Sequence, residues 1–157
     1  MRIKLIFVGK NDDSWVEEGL ERYHKRLKRY VPTDLECIPA LRNTRNLSEG
    51  EVKKKEGEQI LAKVQPGDVL VLLDEKGKER TSEGLAKWVQ GHLNSGTRYL
   101  VLVVGGPYGF SEAVYARANE QMALSKLTFS HQMIRPFLTE QLYRAFTILK
   151  GEPYHHR

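Results

Sequence analysis

The chain has 157 residues, of which 40% are hydrophobic and 29% are charged. This length and composition fit one compact domain with a buried core, and they exclude a disordered, collagen-like or disulfide-scaffold protein. The longest apolar runs, at 69–73 and 99–104, are far shorter than a membrane span, so no segment is expected to cross a bilayer. The formal net charge of +5 is spread along the chain, so a polyanion site would have to be assembled by folding or by pairing two chains.

Local patterns predict five strands and five helices. Short β-branched and aromatic runs predict the strands, and apolar residues recurring at steps of three and four predict the helices. Ser48 with Glu51 forms a capping box, and Pro32 is a stop signal. In chain order we predict a strand at 3–8, a helix at 14–30, a strand at 35–38, a loop at 40–48, a helix at 48–64, a strand at 69–73, a turn at 75–78, a helix capped by Ser82, a strand at 99–104, a short helix capped by Ser111, a strand at 127–129 and a helix at 134–149.

Two features bear on the cellular compartment. The N-terminal residues enter a strand pattern without a long apolar stretch, so we predict no secretory signal. The single cysteine, Cys37, cannot form an internal disulfide, and we expect it to be a core residue of a protein in the reducing cytoplasm.

The second half of the chain contains a predicted βαβ unit. Its strands, at 69–73 and 99–104, should be parallel, and ligands of such sheets bind beyond the carboxyl ends of the strands. Those ends are Leu73 with Asp74 and a glycine turn at 105–109. The turn pattern alone leaves ligand binding and a merely tight turn equally open, and neither common nucleotide loop motif is present.

Several charged and titratable residues are further candidates. The first helix has a basic face, which is either a solvated surface or a phosphate-contacting edge, formed by Arg22, Lys25, Arg26 and Arg29. The last third of the chain contains His131, Arg135, Glu140, Arg144, Tyr154 and His155. Glu140 and Arg144 are spaced to pair with each other on one helix. His155 and His156 are adjacent and lack the spacing of a helical zinc site, so we predict no metal site.

Six segments together resemble one known family over essentially the whole chain, in order. They are IKLIFVGK at 3–10, KEGEQIL at 55–61, GGPYG at 105–109, LSKLTFSHQMIR at 124–135, EQLYRA at 140–145 and PYH at 153–155. The chain resembles the RlmH family of ribosomal RNA large-subunit methyltransferases, which are small members of the SPOUT class.

This resemblance implies a fold, a cofactor and a substrate. The fold is a single α/β domain over 1–157, with a mostly parallel sheet flanked by helices and a C-terminal trefoil knot over about 68–157. The implied methyl donor is S-adenosylmethionine, and the implied assembly is a homodimer. The implied reaction is methylation of N3 of pseudouridine 1915 in 23S ribosomal RNA on the assembled ribosome.

The resemblance also places the cofactor site, whose residues would be Leu73, Gly106, Leu124, Ser125, Lys126, Leu127, Thr128 and Phe129. Methyl transfer from a sulfonium is an in-line displacement that needs no metal, so the protein must chiefly position the reactants and help with the N3 proton. We predict that Arg144, Tyr154 and His155 give this help, with one chain's tail completing its partner's site. His131 and Arg135 are second choices.

Two other classes of function stay open at this point. The first is a non-enzymatic ribosome- or RNA-binding protein that uses the basic face of the first helix, and it predicts no affinity for S-adenosylmethionine. The second is an enzyme acting on a small nucleotide through the glycine turn, which lacks the lysine of a phosphate loop.

Overall fold

The computed structural model describes residues 1–156. Its elements are β1 (Arg2–Val8), α1 (Ser14–Leu27), β2 (Thr33–Ile38), a 3₁₀ turn (Thr44–Asn46), α2 (Glu49–Leu61), β3 (Val69–Lys78), α3 (Ser82–Asn94), β4 (Tyr99–Val104), α4 (Glu112–Arg117), β5 (Glu120–Met122) and α5 (Ile134–Leu149). The strands form one parallel sheet in the order β2-β1-β4-β3-β5. This arrangement confirms the predicted α/β architecture of a parallel sheet flanked by helices.

The sheet has a hydrophobic core on each face. On one face α5 packs between α1 and α3, and the core there includes Leu20, Val89 and Leu142. On the other face α2 and α4 contribute Ile60 and Val114. Because helices cover both faces, the central strands are apolar at successive positions rather than at alternate ones.

The predicted βαβ unit is confirmed. β3 and β4 are adjacent and parallel, with Leu73 opposite Val104 at their carboxyl ends. The residues that follow these two strands therefore start from neighbouring points on one edge of the sheet, where parallel sheets bind their ligands.

The prediction was wrong for the last strand and for the turn after β3. Residues 127–129 are not in a strand, and the fifth strand is the short polar β5, which is held by pairing Val71 with Glu120. Phe129 instead packs edge-on against Phe137 of α5, with ring centroids 5.7 Å apart. Residues 75–78 belong to β3 rather than to a turn that ends it, but the strand bulges between Leu73 and Lys78, which both pair with Met122.

Two smaller predictions also differ from the structure. Cys37 is exposed rather than buried, since it lies near the end of β2, which is an edge strand. The N-cap of α3 is Thr81 rather than Ser82, because the Thr81 hydroxyl oxygen accepts the Gly84 N–H at 3.0 Å.

Residues 74–77 form an arch whose two ends, Leu73 and Lys78, both pair with Met122. A Cβ atom at Gly77 would lie 2.5 Å from the Met122 nitrogen, so two backbone segments touch where residue 77 has no side chain. The trefoil knot over about 68–157 stays a prediction.

Among the helices of residues 1–156, none combines the length and the apolar character that a membrane span needs.

Candidate active site

A cavity of about 370 Å³ lies at the carboxyl ends of β3 and β4. Its wall is built by residues 73–76 of β3, by the glycine turn and by the segment between β5 and α5. The volume is in the range of small-molecule sites, and the position is the one that the βαβ argument predicts.

The residues that the resemblance assigns to the cofactor come together around this cavity. Seven of the eight line it, namely Leu73, Gly106, Leu124, Ser125, Leu127, Thr128 and Phe129, and Lys126 does not. Further residues that were not assigned to the cofactor also line it, and the charged or titratable ones among them include Asp74, Glu75, Lys76, Tyr115 and His131. Binding of a cofactor by these residues stays a prediction.

Hydrogen bonds between distant segments hold the acidic part of the wall. Asp74 accepts a short hydrogen bond from the Tyr115 hydroxyl and a second one, at 2.9 Å, from the Lys76 N–H. Glu75 accepts a hydrogen bond from the Thr128 hydroxyl at 2.9 Å. Burial and the bond to Asp74 raise the pKa of Tyr115 to about 12, so this phenol remains a neutral donor at physiological pH.

Tyr115→Phe should weaken binding of S-adenosylmethionine without unfolding the protein. The substitution removes the donor that orients the Asp74 carboxylate, and a hydrogen bond to a charged group contributes about 1.5 to 3 kcal/mol, so we expect roughly a tenfold rise in Kd. Isothermal titration calorimetry measures the change in Kd. Tyr99→Phe is the matched control, and equal affinities of the two variants would contradict the role given to Tyr115.

Glu56 lies behind the glycine turn. Its side chain is only 8% exposed, and its Oε1 atom has no hydrogen-bond partner among the described residues. A Cβ atom at Gly106 would lie 3.0 and 3.1 Å from the two carboxyl oxygens, so a side chain at position 106 would push the Glu56 carboxyl out of its place. Burial raises the pKa of Glu56. The sequence placed Glu56 only within the predicted helix at 48–64, because helical periodicity does not show which element covers a side chain.

The predicted catalytic residues form a separate cluster on α5 and the tail. Arg144 Nη2 donates to Glu140 Oε1 at 2.6 Å, which confirms the expected pair, and the Tyr154 hydroxyl donates to the same oxygen at 2.8 Å. Arg144 Nη1 lies 3.2 Å from His155 Nδ1, and His155 Nε2 lies 3.3 Å from Glu83 Oε1. The tail is therefore packed on its own chain rather than frayed.

Glu140 favours the protonated forms of Arg144 and Tyr154. Burial acts to lower the pKa of Arg144, but the hydrogen bond and the charge of Glu140 raise it overall. Burial, together with the bond to Glu140, also raises the pKa of Tyr154. Arg144 is thus a permanent cation and Tyr154 a neutral donor, with the guanidinium carbon 4.8 Å from the centroid of the Tyr154 ring.

Within one chain the two groups of predicted site residues do not meet. Arg144, Tyr154 and His155 are not among the residues that line the cavity, whereas His131 is. In the described part of the chain, no three side chains of His, Cys, Asp or Glu are grouped to hold a metal ion.

Arg135, a second choice for catalysis, is a buried structural residue. It is fully buried, with its guanidinium carbon 5.1 Å from the centroid of the Phe7 ring. The guanidinium donates to four oxygens at 2.8 to 3.0 Å, namely Val8 O, Gly9 O, Asn11 Oδ1 and His131 O. It therefore ties the end of β1 to the start of α5.

Arg135→Met should destabilise the fold rather than slow catalysis selectively. The substitution keeps much of the side-chain volume but leaves four acceptors without their donor, and we expect a loss of about 3 kcal/mol in the free energy of unfolding. Urea denaturation followed by circular dichroism measures this loss. The exposed Arg98→Met is the control, and equal midpoints of the two variants would refute the structural role.

The basic face of α1 is only partly solvated. Arg22 and Lys25 are exposed, and so is Arg29, which lies in the turn after α1 rather than on the helix. Arg26 instead lies over two aromatic rings, 5.3 Å from the centroid of Tyr23 and 5.8 Å from that of Tyr143. The basic face of α1 therefore reaches Tyr143 of α5, the helix that also carries Glu140 and Arg144 of the tail cluster.

Comparison with known proteins places the chain in a family. A family model described as "Predicted SPOUT methyltransferase" matches residues 1–155. The chain belongs to the SPOUT methyltransferase family. Ribosomal RNA large subunit methyltransferase H of Christiangramia forsetii is 54% identical to this SPOUT protein over 157 residues, 100% of both chains, and the protein of the same name from Parabacteroides distasonis is 54% identical over 156 residues, 99% of both.

Solved structures include a more distant likeness to this SPOUT protein. The structure of a probable methylase family protein from Haemophilus influenzae has a TM-score of 0.49 and 11% identity, and the alignment covers 95% of this chain and 66% of that one.

Proposed function

We propose that this protein transfers the methyl group of S-adenosylmethionine to N3 of pseudouridine 1915 in 23S ribosomal RNA on the assembled ribosome, in the cytoplasm. The observation that carries the proposal is the cavity at the ends of β3 and β4, since seven of the eight residues assigned to the cofactor line it. Relatives that are 54% identical over essentially their whole length are named ribosomal RNA large subunit methyltransferase H.

The residues around the cavity suit S-adenosylmethionine. The apolar side chains of Leu73, Leu124 and Phe129 match its adenosyl and thioether parts, and the carboxylates of Asp74 and Glu75 match its hydroxyl and ammonium groups. When bound, the cofactor supplies an electrophilic methyl group. Since displacement from a sulfonium needs no Lewis acid, positioning by the protein contributes much of the rate and no metal is required.

Arg144, Tyr154 and His155 act on the imide of the target base. N3 carries a proton that must leave before or as the N–CH₃ bond forms. The imidazole of His155 accepts this proton at Nδ1, the atom that faces Arg144 Nη1 in the free protein, and the guanidinium of Arg144, oriented by Glu140, turns from His155 to stabilise the imide anion. Tyr154 donates a hydrogen bond from its neutral hydroxyl group.

The protein acts as a homodimer in this proposal. The tail cluster does not line the cofactor cavity of its own chain, so the tail of one protomer completes the site of its partner. Sedimentation velocity tests the assembly. Mixing a Gly106→Val variant with an Arg144→Ala variant tests the shared site, because only a site built from two chains recovers activity in the mixed dimer.

Calorimetry and a methylation assay test the function as a whole. We expect S-adenosylmethionine to bind and the wild-type protein to methylate intact ribosomes in preference to free ribosomal RNA. Failure to bind the cofactor would favour the non-enzymatic RNA-binding alternative. Activity on free RNA with none on ribosomes would refute the proposed substrate.

A further inference from the structure

The strongest unexplained feature of the molecule is the buried carboxyl of Glu56. Glu56 is 8% exposed and is one of the few charged residues in the core. Its Oε1 atom has no hydrogen-bond partner within residues 1–156. Buried carboxylates are costly unless a cation or several donors compensate them. A buried acceptor without a partner is rare in folded proteins and calls for an explanation.

Close packing fixes the position of Glu56 relative to the cofactor cavity. A Cβ atom at the next residue, Gly57, would lie 2.4 Å from the Ser111 hydroxyl and 3.1 Å from a Val114 methyl group, so α2 is pressed against the start of α4. α4 follows the glycine turn directly. α2 therefore packs directly against α4, and the Glu56 carboxyl lies against Gly106, which lines the cavity.

The two carboxylates that line the cavity already have donors, whereas Glu56 lies behind Gly106 and is not among the lining residues. Asp74 accepts from Tyr115 and from a backbone N–H, and Glu75 accepts from Thr128. Glu56 Oε1 has no such donor among the described residues. Of these three acids, Glu56 therefore has the most to gain from a positive charge brought into the cavity.

We propose that Glu56 is a specificity-determining residue that favours the methyl donor, with its sulfonium cation, over the product, which lacks that charge. This inference rests on the proposed function. S-adenosylmethionine carries a sulfonium cation, and transfer of the methyl group leaves S-adenosylhomocysteine, whose sulfur is a neutral thioether. Across the backbone of Gly106, the carboxylate stabilises the sulfonium, and this is the only charge by which the two ligands differ. Loss of the charge thus promotes product release.

The test compares two ligands with wild-type protein and with Glu56→Gln. The substitution keeps the shape of the side chain but removes its ability to carry a negative charge. Calorimetry should show that affinity for S-adenosylmethionine falls roughly tenfold, while affinity for S-adenosylhomocysteine changes by less than about twofold. An analogue with an amine in place of the sulfonium should follow S-adenosylmethionine, because it carries the same charge. Glu58→Gln, the same change at an exposed position of the same helix, is the matched control.

The outcomes separate this inference from the proposed function. An equal loss of affinity for both ligands in Glu56→Gln would show a merely structural role and overturn the inference, as would an unchanged ratio of the two Kd values. In either case wild-type binding and methylation would still support the proposed function. A wild-type protein that binds neither ligand would refute both.

Discussion

Arg144→Ala should lower kcat by about 100-fold or more and leave the Kd for S-adenosylmethionine within about twofold. Arg144 is a permanent cation that Glu140 orients through a 2.6 Å contact, and it lies outside the cofactor cavity. Its removal takes away stabilisation of a charge that develops only as the N3 proton leaves, so the ground state loses little. Single-turnover methylation of ribosomes, together with calorimetry, measures both quantities.

Two further variants sharpen this prediction. Arg22→Ala removes an exposed arginine of the basic face of α1, so it controls for a general loss of attraction to RNA. We expect it to raise KM for ribosomes modestly and to leave kcat unchanged. His155→Ala should reduce kcat as well, and wild-type turnover in both Arg144→Ala and His155→Ala, with cofactor binding intact, would refute the catalytic assignment.

Gly77→Ala should prevent stable folding. The new Cβ atom would lie 2.5 to 2.7 Å from backbone atoms of Gln121 and Met122, and main-chain atoms cannot turn aside as a flexible side chain can. β3 and β5 would have to separate, and this loss of pairing would open the cofactor cavity. We expect a loss of about 4 kcal/mol or more, a large part of the stability of an ordinary domain. Soluble yield and urea denaturation provide the measurement.

Gly91→Ala is the matched control for this experiment. Gly91 lies within α3, and a Cβ atom there would meet no other atom within 4 Å. Alanine in the interior of a helix is favoured over glycine by about 0.5 to 1 kcal/mol, so this variant should be slightly more stable than wild type. Similar stabilities of the two variants would contradict the close approach at Gly77.

The secondary structure that depends on local pattern was predictable from the sequence. The continuous apolar runs of β3 and β4 predicted buried parallel strands, and Ser48 predicted the start of α2, where its side chain accepts the Glu51 N–H. β5 was not predictable, because its three residues, Glu120–Met122, have no strand pattern and are held by pairing with β3 and by the bonds of Glu120 to Arg80 and Trp88. Residues 127–129 were taken for a strand because a short segment with Leu127 and Phe129 on either side of a threonine has a strand pattern, but Phe129 packs against α5 and Leu127 is exposed.

The candidate site was only partly predictable, for a related reason. The glycine turn and Leu73 were found because each directly follows a buried strand. Asp74 and Tyr115, which share a hydrogen bond, are 41 positions apart in the chain. The local sequence around either residue does not indicate the other. The tail residues were recognised as candidates, but their contacts with Glu83 and Glu140 arise only when α5 packs beside α3.

By itself the sequence determined the class of this protein. The periodicities of its segments predicted a parallel α/β sheet with a ligand site at the ends of β3 and β4, and six ordered segments indicated the family. Only the tertiary structure decided which side chains share that site. It brought the buried Glu56 of α2 against Gly106, kept the tail cluster out of its own chain's cofactor cavity, and turned Arg135 into a buried tie between β1 and α5. The physical reason is that periodicity records which face of an element avoids water, whereas catalysis and binding depend on which distant element covers that face.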